Sequence, residues 1–236
     1  MYRMFKFSFI VLILSTLVNK PFPTMAVTSQ VLQSCEMLVG IMSIAFSPDS
    51  KSLVAVGEQG FVSLWEVQSG KKLLDLPYGS LEVVYRVAFA PNGKYVAAST
   101  IEDTALWDAQ TGKKLYSFRG DAKDITLEGQ RIAFTPDSNY LLVSDIEGGI
   151  LWDIQTGKKD KVFPYHVGWE SYYTVDLSPN GKYVLANGAD ILLWSIETGE
   201  IIHKFGYKQH LLSVEASFSP DGDTIIIHAN GVVAKW

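Results

Sequence analysis

The residues able to do chemistry are few, and their spacing limits what they can do. Four histidines, His166, His203, His210 and His228, stand apart from one another and from the single cysteine, Cys35. A zinc site draws its histidine, thiolate or carboxylate ligands from closely spaced sets. The chain has no such set, so neither a metal nor a cofactor is expected. Nucleophile elbows, phosphate-cradling glycine loops and the dinucleotide fingerprint are missing too. Asp49, Asp137 and Asp221 would suit acid–base work, but all three occupy the same place in a recurring turn, where a short carboxylate supports the backbone. The expectation is a protein without catalytic residues.

One segment differs from its surroundings. Tyr165-His166-Val167-Gly168-Trp169-Glu170-Ser171-Tyr172-Tyr173 concentrates aromatic residues, and its Trp169 falls outside the periodic tryptophans described below. Aromatic side chains that packing does not require are what interfaces use as anchors. Tyr165, His166, Trp169, Glu170 and Tyr172 are therefore the candidate binding residues. The competing reading has the aromatics filling a gap over a small core, with His166 a structural hydrogen-bonding residue.

The elements that position this segment follow from an internal repeat. Phe46-Ser47-Pro48-Asp49-Ser50 returns as Phe89-Ala90-Pro91-Asn92-Gly93, Phe134-Thr135-Pro136-Asp137-Ser138, Leu177-Ser178-Pro179-Asn180-Gly181 and Phe218-Ser219-Pro220-Asp221-Gly222. Each copy leads to a tryptophan: Trp65, Trp107, Trp152, Trp194 and Trp236, spaced by 42, 45, 42 and 42 residues. Proline presets one corner of the turn, and Asp, Asn or Gly tolerates the other. Aliphatic runs flank the turn, and a second turn such as Gln110-Thr111-Gly112 follows the tryptophan. Four short strands per unit make one blade of a propeller.

These units resemble WD40 repeats. The Trp-Asp dipeptide stands at Trp107-Asp108 and Trp152-Asp153, with Trp65-Glu66 and Trp194-Ser195 as variants. Asp103 and Asp190 match the family's aspartate before the Trp strand, whereas its opening Gly-His has only His166 and His210 near its place. The resemblance covers residues 41–236 and implies a His-Asp-Ser-Trp network that most blades here lack the histidine to form. It also implies protein or peptide binding, with the loops between fourth and first strands as the contact surface. The turns are similar to those of periplasmic TolB-like propellers as well, but the Trp-Asp and Thr-Gly signatures fit WD40 better.

The expected fold is all-β, a propeller of about five four-stranded antiparallel blades. The fifth unit reaches Trp236 without a fourth strand, and residues 27–40 contain Val31-Leu32-Gln33-Ser34-Cys35, at the offset where a fourth strand would stand. Pairing the two would close the ring and hide its edges. Family members mostly have seven blades, so an incomplete or shortened propeller and an assembly between chains are the alternatives.

Residues 1–26 read as a signal peptide: Arg3 and Lys6, then apolar Phe7 to Val18, then Thr24-Met25-Ala26 before the cut. The expected location is the periplasm or the exterior; an uncleaved anchor is the alternative. One cysteine permits no internal disulfide. Net charge is −5, which offers no attraction to phosphate backbones, although Lys71-Lys72, Lys113-Lys114 and Lys158-Lys159 recur as a local basic feature. The expected partner is a protein or peptide, without nucleic acid or membrane insertion, and homo-oligomers remain open. The alternatives are a propeller enzyme acting on a small substrate and a structural subunit of a larger assembly.

Overall fold

The structure is a computed structural model that describes residues 40–119, 131–145, 148–164, 174–187, 190–205, 214–229 and 232–235. Every sheet in it is an antiparallel meander whose strands neighbour one another in chain order. The first is β1 (Ile41–Phe46), β2 (Ser52–Gly57), β3 (Val62–Glu66) and β4 (Lys72–Asp75). The second is β5 (Arg86–Phe89), β6 (Tyr95–Ser99), β7 (Asp103–Asp108) and β8 (Lys114–Arg119). The third is β9 (Ile132–Phe134), β10 (Tyr140–Asp145), β11 (Gly148–Asp153) and β12 (Lys159–Pro164). The fourth is β13 (Thr174–Leu177), β14 (Tyr183–Asn187), β15 (Ile191–Ser195) and β16 (Ile201–Phe205). The fifth has three strands among the described residues, β17 (Val214–Phe218), β18 (Ile225–Ala229) and β19 (Val232–Lys235). The all-β, five-bladed expectation holds.

The first strand of each sheet lies beside the first strand of the next, so consecutive sheets fan out with β1, β5, β9, β13 and β17 innermost. The array is not closed among the described residues. Residues 27–39, which contain the proposed closing strand, and the signal segment lie outside them.

The core lies between blades. Val54 and Leu64 of the first blade pack with Val96, Ala105 and Trp107 of the second. Leu106 and Phe118 then meet Leu141, Ile150 and Trp152 of the third. Leu142, Leu151 and Phe163 meet Val184, Leu192 and Trp194 of the fourth. The two middle strands are buried on both faces, which explains their unbroken aliphatic runs. A bulge stands immediately before each of the four described tryptophans, between Leu64 and Trp65, Leu106 and Trp107, Leu151 and Trp152, and Leu193 and Trp194.

Candidate binding face

The two residues of the Trp-Asp dipeptide have opposite tasks. Trp65, Trp107, Trp152 and Trp194 are buried, with the Trp152 ring 4.9 Å from Phe118 and the Trp194 ring 6.1 Å from Phe163 of the preceding blade. Asp108 turns outward and accepts from the Thr111 N–H at 2.7 Å and the Thr111 hydroxyl at 2.8 Å. Asp153 does the same with Thr156, at 2.7 Å and 3.0 Å. In the variant Trp194-Ser195, the hydroxyl keeps one bond, accepting from the Thr198 N–H at 3.2 Å. The Thr111 hydroxyl, then its N–H, hold the Asp108 carboxyl below its ordinary value; for Asp153 the Thr156 N–H is the largest cause. Trp236 lies outside the described residues.

The turn carboxylates are equally occupied. Ser47 donates its hydroxyl to Asp49 at 2.7 Å, and Asp49 also accepts the Lys51 N–H at 3.0 Å. Thr135 serves Asp137 likewise, and Ser219 serves Asp221. The turns of the first two blades border a cleft of about 320 Å³ between them, lined by Ser47, Asp49, Phe89, Pro91, Asn92 and Gln110. Its carboxylate and amide oxygens already accept backbone N–H groups, from Lys51 and Lys94 respectively.

The other end of the array carries the connections from each outer strand to the next inner strand. One of them is described, and it holds a polar node absent from the sequence reading. The Tyr78 hydroxyl lies 2.7 Å from both Oδ1 and the carbonyl oxygen of Asp103. Thr100 bonds the same carboxylate through its hydroxyl at 3.2 Å and accepts the Asp103 N–H at 3.1 Å. The Tyr78 ring meets Trp107 edge-on at 5.6 Å, and Lys114 donates to the Tyr78 carbonyl at 2.8 Å with its ammonium 5.1 Å from the ring centre. Burial first, and then the Asp103 charge, push the phenol well above its usual range, so Tyr78 is a neutral donor and not an acid–base group.

Tyr78 thus stands where the resemblance implies a histidine. The network stops short of the tryptophan indole: Trp107 Nε1, like Trp65 Nε1 and Trp194 Nε1, is buried without an acceptor among the described residues. The signal was present in the sequence as a tyrosine 13 residues after Trp65 and 25 before Asp103. Asp190, the equivalent of Asp103, pairs with Lys204 at 2.7 Å. The second lysine of each recurring pair is likewise engaged within the fold: Lys72 with Asp75 at 2.9 Å, Lys114 with Tyr78, and Lys159 over the Trp152 ring at 5.6 Å.

Tyr165, His166, Trp169, Glu170 and Tyr172 all lie outside the described residues, as do His210 and Cys35. β12, the outer strand of the third blade, ends at Pro164, and β13, the inner strand of the fourth, begins at Thr174. His203 lies on the outer strand β16, 4.5 Å from the Phe205 ring.

Comparison with known proteins bears on this repeat. A family model described as WD domain, G-beta repeat, matches residues 32–66. Residues 32–66 thus match a WD40 repeat, and the repeating units are similar to those of WD40-repeat proteins. Relatives of these WD40 blades include the small ribosomal subunit protein RACK1 of Medicago sativa, 28% identical over 83 residues, covering 35% of this chain and 25% of the relative. The WD repeat-containing protein AAC3 of Dictyostelium discoideum is 29% identical over 161 residues, covering 66% of this chain and 33% of its own length. Cross-pathway control WD-repeat protein 2 of Flammulina velutipes is 26% identical over 91 residues, covering 39% of this chain and 28% of its own. The chain spans about a quarter of the length of the RACK1 relatives it matches.

Proposed function

We propose that the protein is a non-catalytic scaffold that binds a protein or peptide partner in the periplasm or outside the cell. The observation that carries this reading is the array of WD40 blades, with rigid packing between sheets and connecting segments presented at one end. The RACK1 relatives support it, since their name makes them proteins of the small ribosomal subunit, parts of a larger assembly. Asp49, Asp108, Asp153 and Tyr78 are engaged in bonds that support turns or join neighbouring segments, which suits a scaffold better than a reaction centre. The location rests on the basic, then apolar, then small-residue order of residues 1–26.

The contact surface in this reading is the aromatic connection between β12 and β13. Trp169 and Tyr172 are its anchors, with Tyr165, His166 and Glu170 around them. The test is affinity capture from envelope or culture-fluid extracts with residues 27–236 as bait, compared with a Trp169→Ala, Tyr172→Ala double variant. Loss of the captured partner with unchanged thermal unfolding is expected. Retained capture would remove the aromatic connection from the binding surface.

A further inference from the structure

The outer strands of the blades are sheet edges, and one of them lacks the protection of the others. An exposed edge offers free N–H and C=O groups to another strand, and natural sheets discourage that pairing with charge, lysine above all. β4 and β8 are entered by Lys71-Lys72 and Lys113-Lys114, and β12 by Lys158-Lys159. At the same two positions, six and seven residues after the tryptophan, β16 is entered by Glu200-Ile201. Ile202 follows, so two adjacent isoleucines stand on this edge with 48% and 50% of their surface exposed.

We propose that β16 pairs edge to edge with β16 of a second copy of this chain, forming a two-fold dimer. The strand is complementary to itself. An antiparallel pairing centred on Ile202 sets Ile202 against its own copy, Ile201 against His203, and Glu200 against Lys204. A two-fold interface requires this kind of self-matching. Lys204 already pairs with Asp190 at 2.7 Å, and half of its side chain remains exposed, leaving room for a carboxylate from the other copy. The same operation on β4 would also set opposite charges together, Lys71 against Asp75, but would drive the Lys72 ammonium against Leu74, and on β8 it would set Lys113 against Ser117 with no charge pair. This edge is separate from the aromatic connection, so the dimer stands or falls independently of the partner proposed above.

Sedimentation of the full chain over a micromolar concentration series tests the proposal, with circular dichroism melting of every variant as the check on folding. The wild type is expected to reach twice the monomer mass. Ile201→Lys, which restores the residue type of the other edges, is expected to leave a monomer with an unchanged melting temperature. Glu200→Lys and Lys204→Glu each place like charges opposite one another and are expected to be monomeric alone. Mixed in equal amounts they restore both opposite-charge pairs, and dimer mass is expected to return. A monomeric wild type, a dimer that survives Ile201→Lys, or a mixture that stays monomeric would overturn the proposal.

Discussion

Tyr78 shows how one residue type can replace another when geometry rather than acidity is needed. Its phenol reaches Asp103 at 2.7 Å while its ring covers Trp107, so a single side chain links two blades through polar and apolar contacts. Tyr78→Phe keeps the ring and removes the donor. It is expected to lower stability by about 1–3 kcal/mol in urea titrations, the range for stranding a buried hydrogen-bonding group. The spacing of 25 residues between Tyr78 and Asp103 recurs between Tyr165 and Asp190. If Tyr165→Phe lowers stability as Tyr78→Phe does, Tyr165 is a latch of the same kind; if stability is unchanged, Tyr165 stays with the binding anchors. Asp108 and Asp153 carry the pH dependence at this scale. Their folded-state values lie below the ordinary 3.8, so their contribution is fully present above that pH and is lost as pH falls through the lowered values. An Asp108→Asn, Asp153→Asn variant is expected to show a shallower acid loss of melting temperature than the wild type below about pH 4.

At the scale of elements, the recurring turn is where blades touch at one end of the array. A Cβ at Gly181 would stand 2.8 Å from Pro136 of the preceding blade, and one at Gly222 would stand 3.4 Å from Pro179. Two copies of the turn place serine at this corner, Ser50 with φ 59° and Ser138 with φ 60°. The left-handed conformation costs a side chain about 1–2 kcal/mol that glycine avoids. The two serines differ in what they return. Ser138 accepts the Asn92 N–H across blades at 3.0 Å, because the second blade has Ala90 where the others have a hydroxyl. Ser50 is exposed at the start of the array. Ser50→Gly is therefore expected to stabilise by about 0.5–1 kcal/mol, whereas Ser138→Gly is expected to be neutral or destabilising, both read from chemical denaturation.

At the scale of the whole molecule, the open question is how the first and last blades meet. Each internal junction sets the tryptophan face of one blade on the preceding blade; Trp65, in the first, packs with Leu53, Ile44, Phe61 and Val67 of its own blade. A closed ring would supply the fifth blade as its predecessor, and the turn contacts would then set Pro220 beside Ser50, as Pro48 lies 3.8 Å from a Cβ at Gly93. In a Cys35→Ser background, Ser50→Cys with Pro220→Cys is expected to form a disulfide within one chain, seen as a faster band on a non-reducing gel. A disulfide between chains would instead indicate the assembly alternative, and none at all would indicate an open array.

The strand pattern, the turn chemistry and the number of blades were legible in the sequence, because a period of 42 to 45 residues returns the turn proline, its neighbouring Asp or Asn, and the tryptophan five times. The roles of Asp49, Asp108 and Asp153 as turn supports follow from neighbours two or three residues away. What the period could not convey are contacts between blades, which join residues 25 to 46 positions apart and depend on how two sheets face each other. Tyr78 reaching Asp103, Ser138 capping the second blade's turn and Lys114 lying over Tyr78 belong to this class. His203 likewise reads in the sequence as an isolated histidine, and becomes part of an exposed, self-complementary edge only once β16 is the outer strand of its sheet. Local turns are set by the chain near them, whereas edges and inter-blade latches exist only after the sheets have stacked.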